Sequence, residues 1–154
     1  LSGWAAHDTA MGQPRRHGLY AVLAFALAAG ATPTAPGWLT VHGDATAVDK
    51  DTVQVDPVAR SLEPRIMVVR VSRAAPRISW DGIPYRSFVA EVAFDCAAGH
   101  GRYRKSSYYL EPLWKGAPVR EVDYTSGPPR TMEFREVDPN PTQRIVSAAC
   151  PTRR

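Results

Sequence analysis

Between Tyr85 and Cys96 the chain reads YRSFVAEVAFDC, and one alternate set of positions is apolar: Phe88, Ala90, Val92, Phe94 and Cys96. Ser87, Glu91 and Asp95 fall on the other set. Successive side chains of a β-strand point to opposite faces, so this pattern predicts a strand with one face against a core. Arg65–Ser72 repeats it, with Met67, Val69 and Val71 on one face and Pro64 and Pro76 punctuating its ends. Trp38–Val41 predicts a first short strand closed by His42-Gly43-Asp44. Ala45–Val48 and Thr52–Val55 read as a hairpin about Asp49-Lys50-Asp51, and Asp56-Pro57 ends it because proline brings no ladder donor. Ala74–Pro84 reads as an irregular link, with Trp80 as a lid over an edge of the core.

After Cys96, Ala97–Gly101 has the length and glycine content of a hairpin loop. Arg102–Leu110 then returns antiparallel, Val119–Tyr124 continues beyond a turn near Lys115-Gly116, and Thr131–Val137 is a last extended piece. The period changes at the end of the chain. Asn140 suits an N-cap and Pro141 the first helical position. At 3.6 residues per turn, Thr142, Ile145, Val146, Ala149 and Cys150 share one side, while Arg144 and Ser147 point away. The expected class is α+β: an antiparallel sheet centred on the Tyr85–Cys96 strand, with a C-terminal helix fastened to its apolar face.

The N-terminal segment carries a different pattern. Arg15, Arg16 and His17 precede the apolar run Leu19–Ala29, and Ala29-Gly30-Ala31 follows as a small-residue cleavage site. That is the layout of a secretory signal peptide, and eleven apolar residues are too few to span a bilayer as a helix. Residues 1–31 are therefore expected to be an upstream extension plus signal peptide starting at Met11, with 32–154 as one domain. Cleavage after Ala31 would remove two arginines and one aspartate, taking the formal charge from +4 to +3. No cysteine lies near that cleavage site, so lipid attachment there is not expected, and the protein is placed in the periplasm or at the cell surface.

Composition changes little in this picture. Hydrophobic residues at 44% and charged residues at 22% exclude wholesale disorder, and the mild positive charge permits anionic partners without specifying nucleic acid. The cysteines change more. Cys96 and Cys150 are the only two, and an even count in an exported chain favours a disulfide over two buried free thiols. A bridge across 54 residues is worth roughly 4 kcal/mol in the chain-entropy picture. A helix this short needs such a tether.

Candidate chemistry is sparse. His42 and His100 each lie in a glycine-flanked turn without a second ligand at metal-binding spacing, so no metal is expected. There is no G-x-S-x-G elbow, and Gly99-x-Gly101 lacks the third glycine of a dinucleotide fingerprint, so no cofactor and no enzymatic activity are expected. Glu133, Glu136 and Asp138 read as favourable charge near a helix N-terminus rather than as catalytic carboxylates. The one run above background is Arg102-Tyr103-Arg104-Lys105-Ser106-Ser107-Tyr108-Tyr109. Basic and aromatic residues interleave there as on surfaces that bind proteins or polyanions, and Arg102, Tyr103, Arg104, Lys105 and Tyr109 are the candidate partner-binding residues. Simple alternation puts Tyr103 and Tyr109 on one face with Lys105 and Ser107. Alternatively, the basic residues guard a sheet edge while the tyrosines pack.

Several of these features together resemble the surface-adhesin protein E family of small exported bacterial proteins. They are Gly37-Trp38-Leu39-Thr40-Val41, Val55-Asp56-Pro57, Tyr85-Arg86-Ser87 leading to Phe94-Asp95-Cys96, and the late Cys150. The resemblance implies an antiparallel sheet of about six strands with a helix disulfide-tethered to one side. It also implies a surface adhesin that binds host matrix and plasma proteins. Two functions fit these features. One is a non-catalytic envelope binding module, using the basic aromatic strand or a homodimer through a sheet edge. The other is a carrier of a small apolar ligand between helix and sheet, lined by Phe88, Val92 and Phe94. A cavity there would favour the carrier, and a filled interface the module. Export argues against nucleic acid as the partner.

Overall fold

The computed structural model describes residues 37–151, so the upstream extension and the signal-peptide run lie outside the described residues. Among these residues, six strands form one antiparallel path: β1 (Leu39–His42), β2 (Thr52–Val55), β4 (Arg65–Ile78), β5 (Pro84–Asp95), β6 (His100–Tyr109) and β7 (Arg120–Asp123). Two two-residue strands, β3 (Ser61–Leu62) and β8 (Arg130–Thr131), extend the margins by pairing with β4 and β6. One helix, α1 (Thr142–Ala149), lies against one face, and Cys96 is disulfide-bonded to Cys150 with 5.5 Å between Cα atoms. The expected α+β plan with a tethered helix is therefore what forms.

The alternation in β4 and β5 works as the pattern predicts. Met67, Val69 and Val71 are fully buried on the helix-bearing face, and Phe88, Ala90, Val92 and Phe94 continue that face on β5. Ile145, Val146 and Ala149 of α1 complete the core there, whereas Arg144 and Ser147 are exposed. Burying an isoleucine such as Ile145 contributes about 1.5–3 kcal/mol, and this is what holds an eight-residue helix that would be marginal alone. The helix starts one residue later than expected, with Pro141 rather than Asn140 at the N-cap position, and Asn140 Oδ1 accepts the Thr142 backbone N–H at 2.9 Å from just outside it. The Arg65 guanidinium donates to the Ala149 carbonyl and so holds the other end of the helix to β4.

Several boundaries differ from the expectation. Ala45–Val48 is a turn, because Asp44 Oδ1 accepts from Thr46 N at 2.8 Å and Thr52 Oγ1 accepts from Asp44 N at 3.1 Å. β2 pairs with β1 instead. β4 does not stop before Pro76 but runs to Ile78. Its pairing with β5 is interrupted between Ser72 and Arg77, so Pro76 falls where no ladder donor is required. Arg86 mends that interruption by donating to the carbonyls of Arg73 (3.1 Å), Ala74 (3.2 Å) and Val48 (3.0 Å). After β8 the chain leaves the sheet, yet Met132, Phe134 and Val137 are buried. Gly101 is needed for packing rather than for the turn: a Cβ there would stand 2.8 Å from Val92 Cγ1.

On the outer face, away from the helix, the β6–β7 connection folds back over the sheet. Its short 3₁₀ turn (Pro112–Trp114) holds Leu113 and Trp114 at φ 54° and 58°, a left-handed conformation that costs energy for such residues. The connection offsets this with hydrogen bonds. Ser72 Oγ accepts from Leu113 N (2.9 Å), Ser87 Oγ accepts from Trp114 N (3.0 Å), and Trp114 Nε1 donates to the carbonyls of Val71 and Phe88, each at 3.1 Å. The indole then forms one side of a sandwich, with the Arg70 guanidinium 4.0 Å from both the Trp38 and Trp114 ring centroids.

Candidate functional site

Strand β6 carries the run singled out above, and a bulge divides it. Glu91 pairs with Lys105 but Val92 pairs with Tyr103, leaving Arg104 as an extra residue without a β5 partner. The alternation therefore changes phase at Arg104. Gly101, Tyr103, Ser106 and Tyr108 all face the helix side and are buried, while Arg102 and Lys105 are exposed on the outer face and Tyr109 is half-buried. Tyr103, 6% exposed, thus does not share a face with Lys105 and Ser107. Nor is β6 an edge: β5 flanks it on one side, β7 and β8 on the other.

The outer strip is mixed in charge. Lys105 lies between Glu91 and Asp123 in register, and Ser107 Oγ donates to Glu121 at 3.2 Å. Asp123 is held below the ordinary carboxylate value by hydrogen bonds from Thr125, helped by the charges of Lys105 and Arg104. None of Arg102, Arg104 and Lys105 forms an ion pair among the described residues.

Tyr103 belongs to a second feature. Beside the helix, on the same face, lies a cavity of about 480 Å³ walled by Tyr85, Phe88, Tyr103 and Tyr108 and reached by Trp80 and Phe134. The rings touch one another: Trp80 to Tyr103 at 5.6 Å, Tyr85 to Tyr108 at 5.3 Å, and Phe88 to Tyr108 at 5.8 Å between centroids. Tyr103 is held well above the usual phenol value, first by burial and then by the neighbouring Tyr108 and Tyr85. Tyr124 is raised by burial and by its hydrogen bonds to Tyr108 (3.0 Å) and to Asp81 (2.7 Å). Trp80 is a lid, as its residue type suggested, but one that remains 56% exposed. The helix–sheet interface proper is filled: Val92 and Ile145 are fully buried and Phe94 is 5% exposed, so the cavity lies alongside it and shares only Phe88 with the expected lining.

The acidic trio does not serve the helix. No acidic residue stands in its first turn; Glu136 instead reaches Arg73 (3.5 Å) and Arg77 (3.3 Å), and Glu133 pairs with Arg135 (2.7 Å). Arg73, deeply buried on the cavity wall, had no signature in the run Ser72-Arg73-Ala74-Ala75. The available signal was the aromatic density from Trp80 to Tyr108. His42 contacts Arg144 through Nδ1 at 3.1 Å, and no group of three potential metal ligands occurs among the described residues.

A family model described as surface-adhesin protein E matches residues 38–151, covering the whole sheet, the helix and both cysteines. The chain belongs to the surface-adhesin protein E family. No curated protein and no solved structure matches it. Membership in this adhesin family implies an exported or surface location and suggests a non-enzymatic protein. No helix among the described residues is long and apolar enough to cross a membrane.

Proposed function

We propose that this protein is a non-catalytic binding module of the cell envelope that engages a host matrix or plasma protein through the outer face of β5–β7. The observation that carries this is the strip left open beside the Trp114 turn. Arg102 and Lys105 are exposed on it, and Glu91, Glu121 and Asp123 alternate with them. Interspersed charges of both signs suit the patterned surface of a folded protein better than a uniform polyanion. Arg104, half-buried at the bulge, and Tyr109, half-buried further along, border the strip.

Exposed charges are screened over about 8 Å at physiological ionic strength, so binding weakens as salt rises. The test is a binding series against matrix and plasma proteins, with heparin as the polyanion, across salt. Replacing Arg102, Arg104 and Lys105 with glutamate is expected to slow association about 10-fold or more while leaving the melting transition nearly unchanged. Equal binding by wild type and variant, or binding by neither, would sink the proposal; binding to heparin alone would replace the protein partner with a polyanion. A second function, small-ligand carriage, is favoured by the cavity on the opposite face.

A further inference from the structure

Arg73 stands in an unusual position for a charged side chain. Its side chain is 6% exposed and lines the aromatic cavity, and its Nε has no hydrogen-bond partner among the described residues. The carboxylates near it are distant or shared. Asp51 Oδ1 stands 3.6 Å from Nε, beyond hydrogen-bond range, and Oδ1 accepts instead from the Ala74 backbone N–H at 2.8 Å. Glu136 reaches a terminal nitrogen at 3.5 Å but also serves Arg77 at 3.3 Å, and it is 71% exposed. A guanidinium taken out of water loses its hydration and recovers it only through well-formed hydrogen bonds, which Arg73 lacks.

What surrounds this cation limits what could satisfy it. The cavity volume, about 480 Å³, is that of a small-molecule site. Its walls are rings: Tyr85, Phe88, Tyr103 and Tyr108 on the sheet, with Trp80 across the mouth. Ring walls favour a planar guest, which can stack or meet them edge-on. Its charged lining is three arginines, Arg73, Arg130 and Arg135, against two glutamates, Glu133 and Glu136. Arg135 is paired with Glu133 (2.7 Å) and Arg130 with Asp81 (3.8 Å), so Arg73 is the lining cation left without a close partner. An apolar cargo would leave Arg73 unsatisfied.

We propose that this cavity binds a small planar aromatic carboxylate, its ring against Tyr85, Phe88 and Tyr108 beside the Trp80–Tyr103 pair and its carboxylate on Arg73 in the place Glu136 now takes. Glu136 is then an internal stand-in for the ligand anion. It is solvent-exposed and belongs to the segment after β8 that has left the sheet, so it is displaced without disturbing a strand. The carboxylate of the guest presents two acceptor oxygens to the fork of guanidinium donors, the geometry that makes such pairs strong. This site lies on the face opposite the proposed partner strip and does not depend on it.

The test uses the full-length oxidised chain and two probes with the same ring, indole-3-acetate and its neutral amide, indole-3-acetamide. Calorimetry measures affinity, and the Trp80 indole N–H resonance reports the place of binding. The acid is expected to bind at least about 10-fold more tightly than the amide, the difference a charge-assisted hydrogen bond supplies. Two substitutions at exposed side chains keep the fold intact. Glu136→Gln removes the competing anion and should tighten the acid several-fold while leaving the amide unchanged, and Trp80→Ala should weaken both about 3-fold or more. The triple substitution at Arg102, Arg104 and Lys105 should alter neither probe, which separates this site from the partner strip. Equal affinity for acid and amide, no heat and no Trp80 shift with either at millimolar concentration, or affinities untouched by both Glu136→Gln and Trp80→Ala would each overturn the proposal.

Discussion

The helix-bearing face of the sheet is closed in two different ways along its length. At one end, Val53, Val55, Met67, Val69 and Val71 meet Ile145 and Ala149, all fully buried. At the other end, Tyr85, Phe88, Tyr103 and Tyr108 meet the Ser79–Ile83 turn and the irregular segment after β8, and a cavity remains. Aliphatic side chains of similar size fill the space beneath a regular helix to interior density. Large rings with hydroxyls, covered by irregular chain carrying arginines and glutamates, do not pack that way. One half of the face therefore supplies stability, and the other leaves room for recognition.

Removing parts of the first half should cost the most. Ile145→Ala is expected to lower stability by about 2–5 kcal/mol, and Cys96→Ser, which frees the end of the helix, by a similar 2–5 kcal/mol. Trp80→Ala at the aromatic end should stay within about 1 kcal/mol of wild type, because the residue is largely exposed. Urea denaturation in oxidising buffer measures all three. A loss at Trp80 as large as at Ile145 would erase the distinction between the two ends.

Alkaline pH should distinguish the ends next. Tyr103 is raised above its unfolded value, first by burial and then by Tyr108 and Tyr85. Its contribution is therefore complete below pH about 10, the unfolded phenol value, and is lost as pH rises beyond it, by up to about 1.4 kcal/mol per pH unit. Tyr103→Phe should flatten this slope and Ile145→Ala should leave it unchanged. Identical slopes for wild type and Tyr103→Phe would show that the aromatic end is not what titrates.

The smallest effect belongs to the helix end at acid pH. Burial, then the Arg144 charge, lowers the His42 imidazole, and Asp51 opposes them. Stability from a depressed histidine is present above pH about 6.5 and lost as pH falls through the folded value. His42 is only partly buried, so the effect on stability should be slight, and an NMR titration is the suitable measurement. Arg144→Gln is expected to move the His42 midpoint upward; an unmoved midpoint would mean the helix and β1 are not electrostatically linked.

The strands with one apolar face were legible because burial writes itself into the sequence at period two, as in Met67-Val69-Val71 and Phe88-Ala90-Val92-Phe94. The helix was legible from Ile145, Val146 and Ala149, and the disulfide from there being two cysteines. The extension of β4 past Pro76 was not, because the pairing break that accommodates proline there is bridged by Arg86 from the neighbouring strand. The bulge at Arg104 has no residue signature, so simple alternation misplaced Tyr103. The cavity was hidden for a related reason. Its key cation, Arg73, is a residue type ordinarily found in water, and only the tertiary fold takes it out of water.

The bulge also bears on how this strand could change in length. In an internal strand, losing one residue normally turns every side chain on one side of the loss to the opposite face. Here Arg104 is the surplus position, and without it Gly101, Tyr103, Ser106 and Tyr108 would follow an uninterrupted alternation. A single-codon deletion at 104 would thus preserve both surfaces of the sheet, whereas a deletion at Ser106 would use up the same surplus only by turning Lys105 to the helix side in the place of Ser106. The middle of β6 is in this sense a spliced joint between two correctly phased pieces, where the chain can lose a residue without turning either piece over.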